Sequence, residues 1–311
     1  MSVKDFSTIV PSLSLNSGKS IPHLGLGLYL TGTDVAPALV KEALEIGYRH
    51  IDGAALYKNE AETAQGVVDF LAAHPEVKRS EIFYTTKVWG DNLGYEETKA
   101  SLASSWEKLK GLGYIDLVLV HSPIAPTDVT LSKDDPAYFE TQRAARRVKR
   151  LGTWKALQEA VEQGLIKTIG VSNYNEEHLK ELYAWEGLTI KPAVNQIEVH
   201  PWLQRESIAA YSQKLGLVVE AYSPLTRGKK LVEPLDPHLV AIAAKYKKTP
   251  VQVLLRWSVQ HGYVPLPKST HRARLIENID IWDFELTPEE LELLGDKNAH
   301  DFTSWDPLTE P

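Results

Sequence analysis

Four side chains that can hold or transfer a proton lie in or just after three consecutive strand-like segments: Asp52, Tyr57, Lys87 and His121. A lysine ammonium beside a tyrosine favours the phenolate and lowers the phenol's pKa by roughly one to three units, and a carboxylate such as Asp52 keeps that lysine charged. A neutral His121 would donate a hydrogen bond to a substrate oxygen. Each of these residues alone is usually a satisfied structural group, but their convergence predicts a site that protonates a carbonyl oxygen.

The elements that carry these residues alternate between short strands and longer helices. This alternation predicts a single (β/α)8 TIM barrel over 1–311, with its active site at the C-terminal ends of the strands. The predicted strands are 24–28, 49–53, 82–88, 115–120, 168–171, 193–199, 217–221 and 263–267. Helices are predicted near 35–46, 60–72, 95–110, 152–163, 176–185, 206–215, 238–261 and 272–279.

Several segments fall outside this alternation. A β-hairpin is predicted at 12–21, where it would cover the bottom of the barrel, and an additional helix at 285–294 begins with Thr287 and Pro288. A long loop is expected at about 122–150, and its cationic end at 143–150 favours a solvated helix face over a binding patch. A C-terminal tail is expected from about 298 to 311.

Composition excludes several classes of protein. The chain has 311 residues, no cysteine and a formal net charge of −7. Without cysteine there is no disulfide, no thiolate nucleophile and no cysteine-ligated metal. The acidic balance disfavours nucleic acid and anionic membranes as general partners. No apolar run reaches bilayer length and residues 1–16 lack a signal-peptide pattern, so we predict a cytoplasmic protein with no membrane partner.

Seven segments in order resemble motifs of the aldo-keto reductase superfamily. The resemblance implies a barrel enzyme that binds NADPH without a Rossmann domain and reduces aldehydes or ketones to alcohols; the His-Ser-Pro at 121–123 is similar to that of yeast and fungal reductases. It implies that Tyr57 is the general acid, that Lys87 and Asp52 tune it, and that His121 orients the carbonyl. The segments lie at 52–60, 85–89, 119–123, 170–173, 194–198, 220–225 and 265–269. The residues from Gly25 do not form a Rossmann glycine motif, because that motif needs a glycine or alanine where this chain has Leu30.

The resemblance also implies which residues bind the nicotinamide end of NADPH. Ser172, Asn173 and Gln196 match positions that hold the carboxamide, and Tyr222 matches the aromatic that stacks on the ring. Two structural alternatives stay open: Ser172 and Asn173 as the N-cap of the next helix, and Tyr222 as a core residue.

The rest of the cofactor is assigned in the same way. The loop over the diphosphate is matched by Ser223, Leu225 and Thr226, although Arg227 and the three residues after it depart from the usual pattern. The adenosine 2′-phosphate and adenine positions are matched by Lys268, Ser269, Arg274, Glu277 and Asn278. A lysine and an arginine around a phosphate predict a preference for NADPH over NADH, unless both only decorate the surface of the last barrel helix.

The substrate pocket differs from the family pattern at two positions. Tyr29 and Ser122 stand where many members have larger aromatics, which predicts a more open or more polar pocket that admits keto esters or keto amides. Trp89 matches a pocket wall, and Trp305 of the tail is predicted to close over the substrate. The expected partner is a small carbonyl compound, and family members are often monomers, with a dimer as the alternative.

Three other functions compete with this interpretation. A metal-dependent hydrolase would use His50, Asp52, His121 and His200, although its usual His-x-His pair is missing, and we predict no metal. A Schiff-base aldolase would need an uncharged Lys87, which Asp52 disfavours. A barrel that binds NADPH as a redox sensor or partner subunit is the third alternative, and the intact catalytic set argues against it.

Overall fold

The computed structural model describes residues 6–303 and 306–309. Its first sheet is a two-stranded antiparallel hairpin of β1 (Ser12–Ser14) and β2 (Ser20–Pro22). Within the turn, Gly18 adopts φ +76°, a conformation that glycine takes without strain. The Asn16 amide donates to the Pro192 carbonyl at 2.7 Å, just before a barrel strand, so the hairpin covers the bottom of the barrel as predicted.

Eight parallel strands form the second sheet, and each is paired with its neighbour in chain order. The first and last strands meet through hydrogen bonds from Gly25 N to Pro265 O at 3.1 Å and from Gly27 N to Pro267 O at 3.0 Å, which close the barrel. The (β/α)8 prediction is confirmed. The strands are β3 (Leu26–Gly27), β4 (His50–Asp52), β5 (Phe83–Val88), β6 (Ile115–Val120), β7 (Ile166–Ser172), β8 (Val194–Glu198), β9 (Val218–Tyr222) and β10 (Tyr263–Pro265).

Helices surround this sheet and bury their apolar faces against it. Across the described residues they are α1 (Ala36–Ile46), α2 (Glu60–Ala73), α3 (Tyr95–Leu109), α4 (Tyr138–Glu162), α5 (Glu176–Tyr183), α6 (Glu206–Lys214), α7 (Pro237–Tyr246), α8 (Pro250–Gln260), α9 (Arg272–Ile279) and α10 (Pro288–Leu293). Among the described residues, no helix is long and apolar enough to cross a membrane.

The prediction of a loop over 122–150 is wrong in its second half. Helix α4 already begins at Tyr138, because this segment is rich in alanine, arginine, glutamate and glutamine, which are good helix formers even without a strong apolar stripe. Arg147 and Arg150 lie within 3.8 Å and 2.9 Å of the Glu181 carboxylate. The cationic stretch is therefore part of a helix that pairs with α5, in line with the preferred interpretation.

The single helix predicted over 238–261 is two helices. The chain turns at Lys247, which has φ +53°, and Thr249 then caps α8 with Pro250 in its first turn. A proline is tolerated there because the first backbone N–H groups of a helix have no intrahelical acceptor. The same device starts α10, where Thr287 accepts from the Glu290 N–H, as its sequence predicts.

Inside the barrel, the end nearest the hairpin is apolar. Side chains from the hairpin and from opposite strands form one buried cluster, which comprises Leu15, Ile21, Phe83, Leu117, Leu119, Ala193, Val194, Val264 and Leu266. Gly170 is required beside it, because a Cβ there would lie 2.8 Å from Leu119 Cδ2. Alternate residues of a strand point to the same face, so Lys87, two residues beyond Thr85 on β5, points to the other end of the same interior.

Candidate active site

The four residues predicted to act on a proton meet at the C-terminal ends of β4, β5 and β6. The Lys87 Nζ donates to both carboxylate oxygens of Asp52 and to the Gly53 carbonyl, each at 2.8 Å. It also donates to the Tyr57 hydroxyl at 3.3 Å. Tyr57 ends a short 3-10 turn after β4, and Lys58 behind it adopts φ +56°, which allows the chain to reverse into α2.

Burial decides the proton affinity of Tyr57. It raises the pKa of the phenol, and the opposing effect of the Lys87 charge does not overcome it. Lys87 does lower this pKa, as expected. Burial raises it by more, so the expectation of a lowered pKa is wrong for the net result. Tyr57 holds its proton at neutral pH, which is the state that a general acid needs.

Lys87 keeps its charge although it is 1% exposed. Burial lowers its pKa, but the attraction of Asp52 and Tyr57 outweighs burial, and the net pKa lies above the ordinary value. A lysine that is charged and saturated with acceptors is a poor nucleophile, so the geometry does not support a Schiff-base aldolase.

His121 lies against the tyrosine. Its ring is 5.8 Å from the Tyr57 ring and 5.1 Å from the Trp89 ring, centroid to centroid, and both contacts are edge-to-face. Burial and the Lys87 charge hold the pKa of His121 well below its usual range. A neutral imidazole beside Tyr57 can donate one hydrogen bond to the same substrate oxygen that the tyrosine protonates.

These residues form one end of a cavity of about 880 Å³ at the C-terminal mouth of the barrel. Nearly all of the predicted site residues line it: Tyr29, Asp52, Tyr57, Trp89, His121, Ser122, Ser172, Asn173, Gln196, Tyr222, Ser223, Leu225, Lys268, Ser269, Arg274, Glu277 and Asn278. Lys87 lies behind Tyr57 and Asp52. Thr226 faces away, because its hydroxyl donates to the Leu225 carbonyl and accepts from Lys230 N. Trp305 lies outside the described residues.

A row of amide and hydroxyl groups crosses the cavity next to Tyr57 and His121. The Asn173 side chain donates to the His121 carbonyl at 2.9 Å and accepts from the Tyr222 hydroxyl at 2.9 Å. Ser172 donates to the Gln196 carbonyl at 2.8 Å. Asn173 adopts φ +63°, a conformation that asparagine tolerates better than most residues.

The structure decides between the two interpretations left open for these residues. The cap of α5 is Asn175, which accepts from the His178 N–H, so Ser172 and Asn173 do not cap that helix. Tyr222 lines the cavity and is half-buried, so it is not simply a core tyrosine.

The far end of the cavity is cationic. Lys268 follows β10, Arg274 lies on α9, and both side chains are exposed. Neither forms an ion pair with any residue in the described part of the chain, whereas Arg272 beside them pairs with Glu42 at 3.2 Å. Two cations without carboxylate partners at one end of a cavity can bind a phosphate.

Two further sets of cavity residues have no role assigned from the sequence. Leu30, Leu56 and Leu231 give the mouth of the cavity an apolar rim. Leu30 lies two residues beyond the predicted strand 24–28, which was a usable signal, and it is 74% exposed. Arg227 lies over the Tyr29 ring at 5.3 Å, which links the loop after β9 to the loop after β3.

The proposed metal ligands His50, Asp52, His121 and His200 do not come together as a metal site. His50 lies 3.2 Å from the Thr85 hydroxyl and faces the Glu220 carboxylate inside the barrel, while His200 sits beside Glu198. Among the residues that the structure describes, no group of three or more histidine, aspartate or glutamate side chains could hold a metal ion.

The sequence model of the Aldo/keto reductase family matches residues 23–299, which span the barrel and the cavity. The chain belongs to the aldo/keto reductase family. An uncharacterized oxidoreductase of Saccharomyces cerevisiae is 41% identical over 298 residues, which cover 96% of this chain and 98% of the yeast protein. An aldo/keto reductase family 1 member A1 from Gallus gallus is 37% identical, over 93% of this chain and 89% of its own.

Solved aldo/keto reductases share the fold. The Bombyx mori enzyme in complex with NADP has a TM-score of 0.78 and 38% identity, with 91% of each chain covered. The aldose reductase of Schistosoma japonicum has a TM-score of 0.77 and 35% identity, over 93% of this chain and 94% of its own. This aldo/keto reductase is accordingly an oxidoreductase.

Proposed function

We propose that this aldo/keto reductase uses NADPH to reduce aldehydes and ketones to alcohols, with Tyr57 as the general acid. One observation carries the proposal: the Tyr57 hydroxyl lies in the cavity, 3.3 Å from an ammonium group that Asp52 holds in place. This arrangement delivers a proton to an oxygen on which negative charge develops.

The polar groups along the cavity suit the cofactor. When bound, NADPH supplies a hydride from its nicotinamide ring. The amide oxygens of Asn173 and Gln196 can accept hydrogen bonds from a carboxamide N–H, and the Tyr222 ring gives a flat surface for an aromatic ring. Lys268 and Arg274 supply charge for a 2′-phosphate. The complex of the silkworm relative with NADP supports the same assignment.

Each catalytic residue of this chain has one role. Tyr57 keeps its proton until the carbonyl oxygen gains electron density, because burial raises its pKa. Lys87 then stabilises the tyrosinate that remains, and Asp52 holds Lys87 in position. His121 stays neutral and orients the carbonyl oxygen toward Tyr57.

The substrate wall favours carbonyl compounds with an apolar body and a polar substituent. Tyr29 lies 5.2 Å from the Tyr57 ring, and Leu30 and Leu56 extend an apolar surface outward from it. Ser122 leaves room where a larger side chain would fill the cavity, although its hydroxyl accepts from Ile124 N at 3.2 Å. We therefore propose keto esters and keto amides as substrates beside aldehydes.

The test is NADPH consumption by the purified protein against an aldehyde, an aldose, an α-keto ester, a β-keto ester and a diketone. Tyr57→Phe should keep NADPH affinity and lose roughly 10²- to 10⁴-fold in turnover, because only the proton donor is removed. Phe139→Tyr changes an exposed position of α4 and should keep wild-type turnover, so it controls for effects of mutagenesis and purification.

Near-normal turnover in Tyr57→Phe would refute the tyrosine as general acid. Tight NADPH binding by the wild-type protein without turnover of any carbonyl would instead favour a redox sensor or partner subunit. Gel filtration of the same sample tests the expected monomer against a dimer, and the cytoplasmic location stays a prediction.

A further inference from the structure

The interior of the barrel contains a second carboxyl group near the Lys87–Asp52 pair. Glu220 on β9 is 0% exposed and Asp52 is 3% exposed. One amide joins them: Gln196 Nε2 donates to Asp52 Oδ1 at 2.9 Å and to Glu220 Oε2 at 2.8 Å. A continuous polar chain thus runs from Glu220 through Gln196, Asp52 and Lys87 to Tyr57.

The charges in this interior do not balance if both carboxyl groups are ionised. Lys87 is paired with Asp52 through both carboxylate oxygens. Among the described residues, the only basic group within ion-pair distance of Glu220 is His50, whose Nε2 is 3.4 Å from Glu220 Oε1. Burial and the Lys87 charge lower the pKa of His50 to about 3, so its ring is neutral. An unpaired carboxylate in such a place is costly, and a carboxyl group that retains its proton avoids that cost.

The groups that face Glu220 come from four strands. His50 and Asp52 approach from β4, Lys87 from β5 and Gln196 from β8, while β10 places Val264 opposite it in the strand register. Burial and the charge of Asp52 raise the pKa of Glu220 well above its usual range, against the opposing effects of Gln196 and Lys87. Glu220 is therefore neutral in neutral solution and gains its charge in alkaline solution.

We propose that Glu220 is a positioning residue for carbonyl reduction, which acts through Gln196 and Asp52 on the Lys87–Tyr57 pair and extends reduction to higher pH when it ionises. A second negative charge near Lys87 holds protons on both Lys87 and Tyr57. Tyr57 then remains an acid at a pH at which it would otherwise lose its proton. This inference rests on the proposed function.

The same contacts also fix the orientation of Gln196. With Nε2 donating to two carboxyl groups, the amide oxygen of Gln196 is the atom left to meet a ligand in the cavity that it lines. Glu220 thereby orients one of the amides proposed to bind the nicotinamide carboxamide.

The test is kcat for carbonyl reduction as a function of pH in the wild type, in Glu220→Gln and in Glu290→Gln. At alkaline pH kcat should decline as Tyr57 loses its proton, and this decline is the alkaline limb of the pH profile. Glutamine cannot ionise, so the limb of Glu220→Gln should lie about half a pH unit to one pH unit below that of the wild type. Its turnover near neutral pH should stay within about threefold of the wild type, because Glu220 is neutral there. Glu290→Gln removes a buried carboxyl on α10, far from the barrel interior, and should leave the limb in place.

Two outcomes overturn the proposal. One is a folded Glu220→Gln variant that binds NADPH and whose kcat declines at the same alkaline pH as that of the wild type. The other is a uniform loss of kcat at every pH without a shift, which is the mark of a purely structural role. Absence of wild-type turnover would be a failure of the proposed function, and it is seen before any variant is compared.

If Glu220→Gln does not fold, the wild-type protein decides the question. In wild-type protein labelled with ¹³C at the glutamate carboxyl, the NMR spectrum should show one carboxyl that titrates well above the ordinary acidic range of glutamate. A spectrum in which every glutamate titrates in the ordinary acidic range would overturn the proposal. This measurement does not depend on turnover.

Discussion

The two ends of the barrel interior are built by the same strands but have opposite chemistry. Toward the hairpin, Phe83 and Leu117 point inward and pack with apolar side chains from the hairpin and from β10. Toward the cavity, the inward positions of the same two strands end in Lys87 and in His121 just beyond β6. The apolar end supplies burial that stabilises the fold. The polar end places charges where burial alters their proton affinity: Lys87 and Asp52 are 1% and 3% exposed, whereas Tyr57 and His121 border the cavity.

The polar end shows how a barrel tolerates buried charge. Lys87, Asp52, Gln196 and Glu220 satisfy one another inside the protein, so few of their polar atoms are left without a partner. Because the apolar end needs no such partners, substitutions there and at the polar end should have separable effects.

The largest effect is expected from Lys87→Met, which leaves Asp52 buried without its counter-ion. The free energy of unfolding should fall by about 3–5 kcal/mol, and carbonyl reduction should fall by about 10²- to 10⁴-fold. Urea unfolding and steady-state kinetics measure the two losses. Lys110→Met removes a lysine from an exposed pair with Glu107 and should change neither. Normal turnover in a folded Lys87→Met variant would contradict the assignment of the chemistry to the polar end of the barrel interior.

Leu117→Ala should affect stability alone. Leu117 is 0% exposed in the apolar cluster, and its truncation should cost about 2–5 kcal/mol of unfolding free energy. Turnover at a temperature where the variant is folded should match the wild type, because no catalytic residue loses a partner. Leu131→Ala, at an exposed position after β6, is the matched control. A loss of kcat as large as that of Lys87→Met would show that the two ends are not separable.

The smallest effect concerns the outer end of the cavity. Lys268→Ala and Arg274→Ala should each weaken NADPH binding by about 10- to 100-fold and leave NADH binding nearly unchanged, because only NADPH carries the phosphate. Fluorescence titration with both cofactors measures this, and Arg272→Ala, which breaks only the pair with Glu42, serves as the control. Equal losses for both cofactors would mean that these cations do not contact the phosphate.

Much of the fold was predictable because it depends on local patterns. The alternation of strands and helices, the hairpin turn and the Thr287 cap all follow from neighbouring residues. The errors had two causes. Helix α4 has little apolar periodicity in its first half, so its local signal was weak. The break before α8 was missed although Thr249 and Pro250 form the same helix-start pattern as Thr287 and Pro288.

The sequence alone predicts that Asp52, Tyr57, Lys87 and His121 meet in one site, because their positions place them at neighbouring strand ends of a (β/α)8 barrel. How they ionise depends on the folded structure. The pKa of Tyr57 is raised because burial outweighs Lys87, and Glu220 joins the network through an amide 144 residues from Asp52 in the chain. Desolvation depends on every atom that surrounds a group, and those atoms come from residues far apart in the chain.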